Sequence, residues 1–199
     1  MIVVCVHYGD KYSVDYVNTL NAMVKRYSDA RLICISDAFA GKDDDIEVYQ
    51  GEKGFEGWWA KIQLFKPDFL KGERFLYLDL DVVITDDISE ILNREEKFVT
   101  IKDWIYPTYN SSAMLMTGGD FPYVYDLFVK DKEKAMQACP QGDQQWITNY
   151  VEANFFSETD FASFRMSGCE SEPKGKIVVF HGKPDPHEIK GTWVEENWE

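Results

Sequence analysis

Asp79 and Asp81 stand two residues apart inside the apolar run RFLYLDLDVVI of residues 74–84. In extended backbone, residues two apart point to the same side, so both carboxylates can face one cation while Leu80 packs inward. Two carboxylates this close repel, and a divalent cation relieves the repulsion. Mg²⁺ or Mn²⁺ is typically held by one or two carboxylates plus the phosphate oxygens of a substrate. The plainer alternative is a strand ending in acidic turn residues. An Asp-x-Asp with VVI continuing after it is costly unless paired, which favours the metal.

His181 follows the apolar run KIVVF and precedes Gly182, Lys183 and Pro184. As a third ligand it would shift the expected ion from Mg²⁺ toward Mn²⁺, with Lys183 contacting a phosphate. Taken alone, a strand-end histidine bonded to the backbone explains it better. Asp143 and Gln144 follow Gly142 at a helix start, where a capping Asp and a carboxylate facing a reacting carbon are equal readings. Lys61, near Trp58 among apolar neighbours, either reaches a phosphate or is solvated along its stem. His7 reads as structural or as a nucleobase neighbour, and His187 as a surface residue. The run Asp43-Asp44-Asp45 reads as a solvated loop, since EF-hand spacing is absent.

The elements that must position these groups follow from periodicity. Residues 2–7 form a continuous β-branched run, the pattern of a strand buried on both faces. Val14, Val17, Leu20, Val24 and Tyr27 recur at helical spacing behind a capping Ser13. A second strand is expected at 31–36, a loop from Asp37 to Gly57, and a helical face at Trp58, Ile62, Phe65 and Phe69, interrupted by Pro67. Residues 74–84 form the strongest central strand. A short helix at 88–92, strands at 98–101 and 113–117, a helix over 121–136 capped by Asp120, and a helix opening at Asp143 come next. A strand at 176–180 delivers HGKPDPHE, and the tail carrying Trp193 packs on the sheet. This order gives one α/β domain over residues 1–199, with a mostly parallel central sheet flanked by helices. Ligands of such sheets bind beyond the carboxyl ends of the strands, where these polar residues lie.

Composition bounds the partners. With 45% hydrophobic and 28% charged residues in 199, disorder, collagen and coiled coil are excluded. A net charge of −14 argues against nucleic acid or an anionic membrane as partner, so an anionic ligand must be neutralised locally. Cys5, Cys34, Cys139 and Cys169 form no C-x-x-C pair, and two of them sit in apolar runs, which reads as buried thiols in a reducing compartment. The first residues read as a strand and not as a signal peptide, and no stretch is long enough to span a bilayer, so a cytoplasmic protein is expected. No P-loop motif is present.

The sequence YLDLDVVI, then YNSSAMLM at 109–116, GDQQWITNYV at 142–151 and FHGKPDP at 180–186, resembles the GT-A-fold glycosyltransferases, in particular the glycogenin-like, family 8 group. The likeness covers about residues 2–186. It implies a GT-A fold and metal-dependent transfer of a sugar from a nucleotide-sugar, a UDP-sugar, to an acceptor hydroxyl. Carried over position by position, Asp79, Asp81 and His181 would bind Mn²⁺ or Mg²⁺. Asn110 and Ser111 would hold the sugar, Asp143 and Gln144 would sit near the anomeric carbon, and Lys183 would bind the diphosphate. Tyr12 and Asp37 would lie near base and ribose, and Lys61 by the donor phosphate. The chain has Ser112 where that family usually has Gly, and a shorter late motif. Two rival readings remain. FLYLDLDVV also resembles the motif of haloacid-dehalogenase-type phosphatases, in which the first Asp is a nucleophile, although 78 residues precede Asp79 here. The other rival is a non-catalytic relative that binds nucleotide-sugars.

Overall fold

The computed structural model describes residues 1–38, 45–167 and 174–198, so Asp43, Asp44 and Cys169 fall outside it. The chain opens with β1 (Ile2–His7), α1 (Val14–Tyr27), β2 (Arg31–Ser36) and β3 (Glu47–Gln50). A 3₁₀ run, Gly57–Phe65, leads to β4 (Arg74–Leu78), β5 (Val82–Ile84), α2 (Ser89–Leu92), β6 (Phe98–Lys102) and β7 (Tyr109–Thr117). Next come α3 (Pro122–Lys130), α4 (Lys132–Ala138), α5 (Asp143–Tyr150) and β8 (Asn154–Phe155). The series ends with β9 (Phe161–Ser163), α6 (Phe164–Ser167), β10 (Ile177–Val179) and α7 (Trp193–Asn197).

Seven strands form the central sheet in the order β3-β2-β1-β4-β7-β6-β8. Four of its six pairings are parallel; β7 runs antiparallel to both β4 and β6. Alternation at period two sends Val3, Cys5, Leu76 and Leu78 to one face, and Ile2, Val4, Phe75 and Tyr77 to the other. That is why β1 and β4 are apolar throughout. The first face is covered by α1 and the second sheet. The other face is covered by the Gly57–Phe65 run, α3 and α5. Cys5 and Cys34 are buried register partners and free thiols, as is the buried Cys139. Val194 of α7 is fully buried with Trp193 packed beside it, so the tail does pack.

The expected single strand over residues 74–84 is two strands in two sheets. β4 belongs to the central sheet, whereas β5 pairs with β10 in a three-stranded sheet of order β5-β10-β9. Residues on both sides of the break are buried, so hydrophobicity runs through it unmarked. The expected helix over 121–136 is likewise divided. The Asp131 side chain accepts from the Lys134 N–H (3.1 Å), starting α4 where α3 stops. The face at 58–69 is a 3₁₀ run that ends at Phe65, two residues before Pro67. The loop expected between Asp37 and Gly57 contains β3, an edge strand whose mostly exposed residues carry no apolar signal. Ser13 holds the N-cap position of α1 without capping it; its hydroxyl donates to Asp15 instead (3.4 Å).

Candidate active site

A cavity of about 720 Å³ opens beyond the carboxyl ends of β1 and β4. Asp79 and Asp81 lie on its wall, at the seam between the two sheets. The Asp79 N–H donates to the Ser112 carbonyl (2.8 Å), the last rung of the central sheet. The Asp81 carbonyl accepts from the Phe180 N–H (3.1 Å), the first rung of the smaller one. Leu80 between them is buried, as the spacing predicts. Opposite, the β6–β7 register jumps from Thr100↔Met114 to Ile101↔Asn110, leaving Ser111, Ser112 and Ala113 without partners on β6. The Thr100 hydroxyl closes that gap against the Asn110 and Ala113 carbonyls (3.2 and 2.9 Å). Such bulges re-aim side chains, and here Ser111 and Ser112 reach the cavity.

Lys61 is the hub. Its ammonium lies 3.0 Å from Asp79 Oδ1 and 3.6 Å from Asp143 Oδ2, and it donates to Ser111 Oγ (3.2 Å). Ser111 in turn donates to Asp143 Oδ2 (2.6 Å), and the Tyr77 hydroxyl donates to Asp79 Oδ1 (2.5 Å). Tyr12 donates to Asp81 Oδ2 (2.7 Å). Burial alone would lower the Lys61 pKa, but the carboxylates of Asp143 and Asp79 override it and hold the group cationic. Burial raises Asp143, partly offset by Lys61 and Ser111. Asp81 is pushed up to about 6, first by burial and then by the charge of Asp79. Burial and the neighbouring carboxylates raise both phenols, Tyr12 and Tyr77, so each remains a donor.

The other sequence-predicted residues divide. Asn110 and Gln144 line the cavity; Asn110 donates to Asp103 (3.2 Å) and accepts from the Ser112 N–H (3.0 Å), while Gln144 donates to Thr108 (3.2 Å). His181 lines it too, stacked on Trp104 at 5.6 Å, with Nε2 against Ser163 Oγ (2.5 Å). Burial lowers its pKa, which favours the neutral imidazole. Asp37 and Lys183 do not line the cavity. The Asp37 carbonyl accepts from Gln50 (3.4 Å), and Lys183 is held by Asp185 (2.5 Å) and Glu188 (3.2 Å). His7 Nε2 meets the Tyr12 carbonyl (3.0 Å), fixing the turn that carries Tyr12. His187 is exposed and contacts the Tyr16 hydroxyl.

A divalent cation fits this donor set in part. A buried carboxyl held up by its neighbour's charge is the environment that a hard cation relieves, and Asp79 with Asp81 supply the usual two protein oxygens. Among the described residues, however, no three His, Cys, Asp or Glu side chains are gathered for a metal. His181 turns its Nε2 to Ser163.

Sequence reasoning missed Lys11, Trp58, Tyr77 and Tyr106 on the cavity wall. Tyr77 carried a signal, since it lies two residues before Asp79 and so on the same side. Trp58 is 60% exposed and rests on Gly142, the residue before α5. Gly142 has φ +79 and ψ −154, a region that only glycine adopts freely, and a Cβ there would lie 2.6 Å from the indole nitrogen. Gly142→Ala is therefore expected to cost about 1–3 kcal/mol and to shift the start of α5. Urea denaturation reads the cost, and an unchanged midpoint would contradict it.

No family model matches the chain, and no curated protein matches it. Solved structures do. The glycosyltransferase GlyE of Streptococcus pneumoniae TIGR4 superposes with a TM-score of 0.72 at 13% identity, over 99% of this chain and 59% of that one. The galactosyltransferase LgtC, in complex with donor and acceptor sugar analogs, superposes with a TM-score of 0.71 at 14% identity, over 100% of this chain and 94% of that one. The chain thus spans less than two thirds of GlyE and nearly all of LgtC. The same fold covers the chain from end to end, which does not favour the dehalogenase-type alternative. Among the described residues, no helix is long and apolar enough to cross a membrane. With its mixed seven-stranded sheet flanked by helices, the chain has the fold of the GT-A glycosyltransferases.

Proposed function

We propose that the protein transfers a sugar from a UDP-sugar to an acceptor hydroxyl, with Mn²⁺ or Mg²⁺ bound at Asp79 and Asp81. One observation carries this reading. In a GT-A fold, an Asp-x-Asp pair stands on the cavity wall beside a buried lysine that links it to Asp143. A divalent cation bound there supplies Lewis-acid stabilisation of the leaving diphosphate. Tyr12, whose hydroxyl donates to Asp81, fixes that carboxylate's orientation. Tyr77 and Lys61 do the same for Asp79. Lys61 also opposes the burial that raises Asp143, and the Ser111 hydroxyl holds that carboxyl in place, a preorganised field at the reacting carbon. Gln144 adds an amide beside it. Were the reaction to invert configuration, Asp143 is the base that would take the acceptor's proton. Trp58 and Tyr106, exposed on the cavity wall, are left for the acceptor.

Calorimetric titration of UDP into the protein tests this, with Mn²⁺ and then with EDTA. Binding that requires Mn²⁺ is expected, followed by hydrolysis or transfer from one member of a UDP-sugar panel. Absence of binding by UDP, GDP and CDP under both conditions would remove the reading.

A further inference from the structure

Tyr12 holds Asp81 at the end of a long side chain. Its hydroxyl donates to Asp81 Oδ2 (2.7 Å), yet the residue sits in the turn between β1 and α1, ahead of the first helical residue, Val14. His7 ties the backbone there, with Nε2 against the Tyr12 carbonyl (3.0 Å). That bond fixes the turn and not the ring, and another staggered rotamer would carry the hydroxyl away from the carboxylate. Packing must select the rotamer. The Lys11 ammonium, 4.4 Å from the ring centre, is exposed and rides on a flexible stem. Tyr16 is the rigid neighbour.

Tyr16 lies one helical turn on, in α1, and is buried. Its ring is 4.7 Å from the Tyr12 ring and tilted by 34°. Tyr16 is itself held by segments remote in sequence. Its hydroxyl contacts Nδ1 of His187, in the short 3₁₀ turn Pro186–Glu188. The Trp198 ring meets it edge-on at 5.1 Å and 70°. Trp198 follows α7, which is fastened to α1: the Tyr27 hydroxyl donates to Asn197 (2.5 Å), and Arg26 donates to the Glu196 carbonyl (3.4 Å). Aromatic contacts therefore run from Trp198 through Tyr16 and Tyr12 to the Asp-x-Asp pair. Continuity alone is not coupling. Here the inner ring carries a directed hydrogen bond to a buried carboxylate, so a shift of that ring is read as loss of the bond.

Resting on the function proposed above, we infer that Tyr16 is a positioning residue for the cation. Locked by His187 and Trp198, its ring fixes that of Tyr12 and so keeps Asp81 turned for Mn²⁺ or Mg²⁺.

The test reads, by calorimetry, the Mn²⁺ concentration that gives half-maximal UDP binding. It compares the wild type with Tyr16→Leu, Tyr16→Phe and Trp198→Ala, and repeats Tyr16→Leu and Trp198→Ala in a Tyr12→Phe background. Tyr16→Leu is expected to raise the Mn²⁺ requirement about fivefold, the worth of one aromatic pair. Tyr16→Phe keeps the ring and stays within about twofold. Trp198→Ala withdraws the outer support and raises the requirement about threefold; it keeps the test readable should Tyr16→Leu not fold. In the Tyr12→Phe background neither substitution adds a shift, because the hydroxyl they position is gone. A merely structural role would lower the melting temperature alone, or add the same shift in both backgrounds. Either result overturns the assignment, and so does an unchanged Mn²⁺ requirement in both Tyr16→Leu and Trp198→Ala. UDP binding by the wild type that is absent, or that persists in EDTA, instead removes the metal reading on which the inference rests, and it shows before any substitution is made.

Discussion

Asp81→Asn is expected to abolish Mn²⁺-dependent UDP binding while making the metal-free protein more stable at about pH 8. The two effects share one cause. Asp81 is 8% exposed, and burial, followed by the charge of Asp79, raises its carboxyl from 3.8 to about 6. A carboxyl whose folded pKa lies above its unfolded value binds more protons in the folded state across that window. Stability therefore falls as pH rises from about 4 to about 6, and the cost is borne in full above it. Asparagine removes the charge, and its amide oxygen still accepts from Tyr12. The melting temperature of metal-free Asp81→Asn should exceed that of the wild type at about pH 8, and the gap should close near pH 4. Adding Mn²⁺ should raise only the wild type, by mass action. Loss of the cation's Lewis acidity should lower turnover about a thousandfold. Mn²⁺-dependent UDP binding that survives in this variant would refute the metal assignment.

Lys61→Met should be the most damaging single change to the fold. It leaves Asp79 and Asp143 without their counter-charge in a buried setting, an imbalance worth about 3–5 kcal/mol. The sign of the pH dependence follows. Without the ammonium nothing opposes the burial that raises Asp143, so the deficit is largest where that carboxyl must ionise and shrinks as acid protonates it. Urea unfolding at neutral and mildly acidic pH measures both. A loss below about 1 kcal/mol, or one that does not vary with pH, would mean that the cluster is a surface network.

How far the sequence disclosed this site depends on the range of each interaction. Asp79 and Asp81 were visible because their relation is local, two residues apart in one apolar run. The change of sheet between them was not, because residues on both sides of the break are buried and a buried strand reads alike in either sheet. Lys61 was visible as a lysine among apolar residues, yet its partners lie 18 and 82 positions away, at Asp79 and Asp143, and only packing joins them. The bulge that turns Ser111 into the cavity likewise depends on Thr100, a residue of the neighbouring strand. Lys183 was the opposite case. Asp185 and Glu188, two and five residues on, were in plain view as its competing partners. The fold class needed less, since alternating strand and helix patterns limit the arrangement regardless of such pairings.

The smaller sheet also constrains when the molecule can be made whole. β10 is its middle strand, and β5 and β9 pair with it and not with each other. As the chain leaves the ribosome, β5 and then β9 emerge with no partner in that sheet, and they wait until residue 179 is free. The parallel core of β1, β2, β3 and β4 meets no such delay. Because β10 also brings Phe180 to the backbone of Asp81, that side of the cavity wall forms only after the large sheet's strands have emerged. A nascent chain with its large sheet already formed therefore still lacks the rung between Phe180 and Asp81.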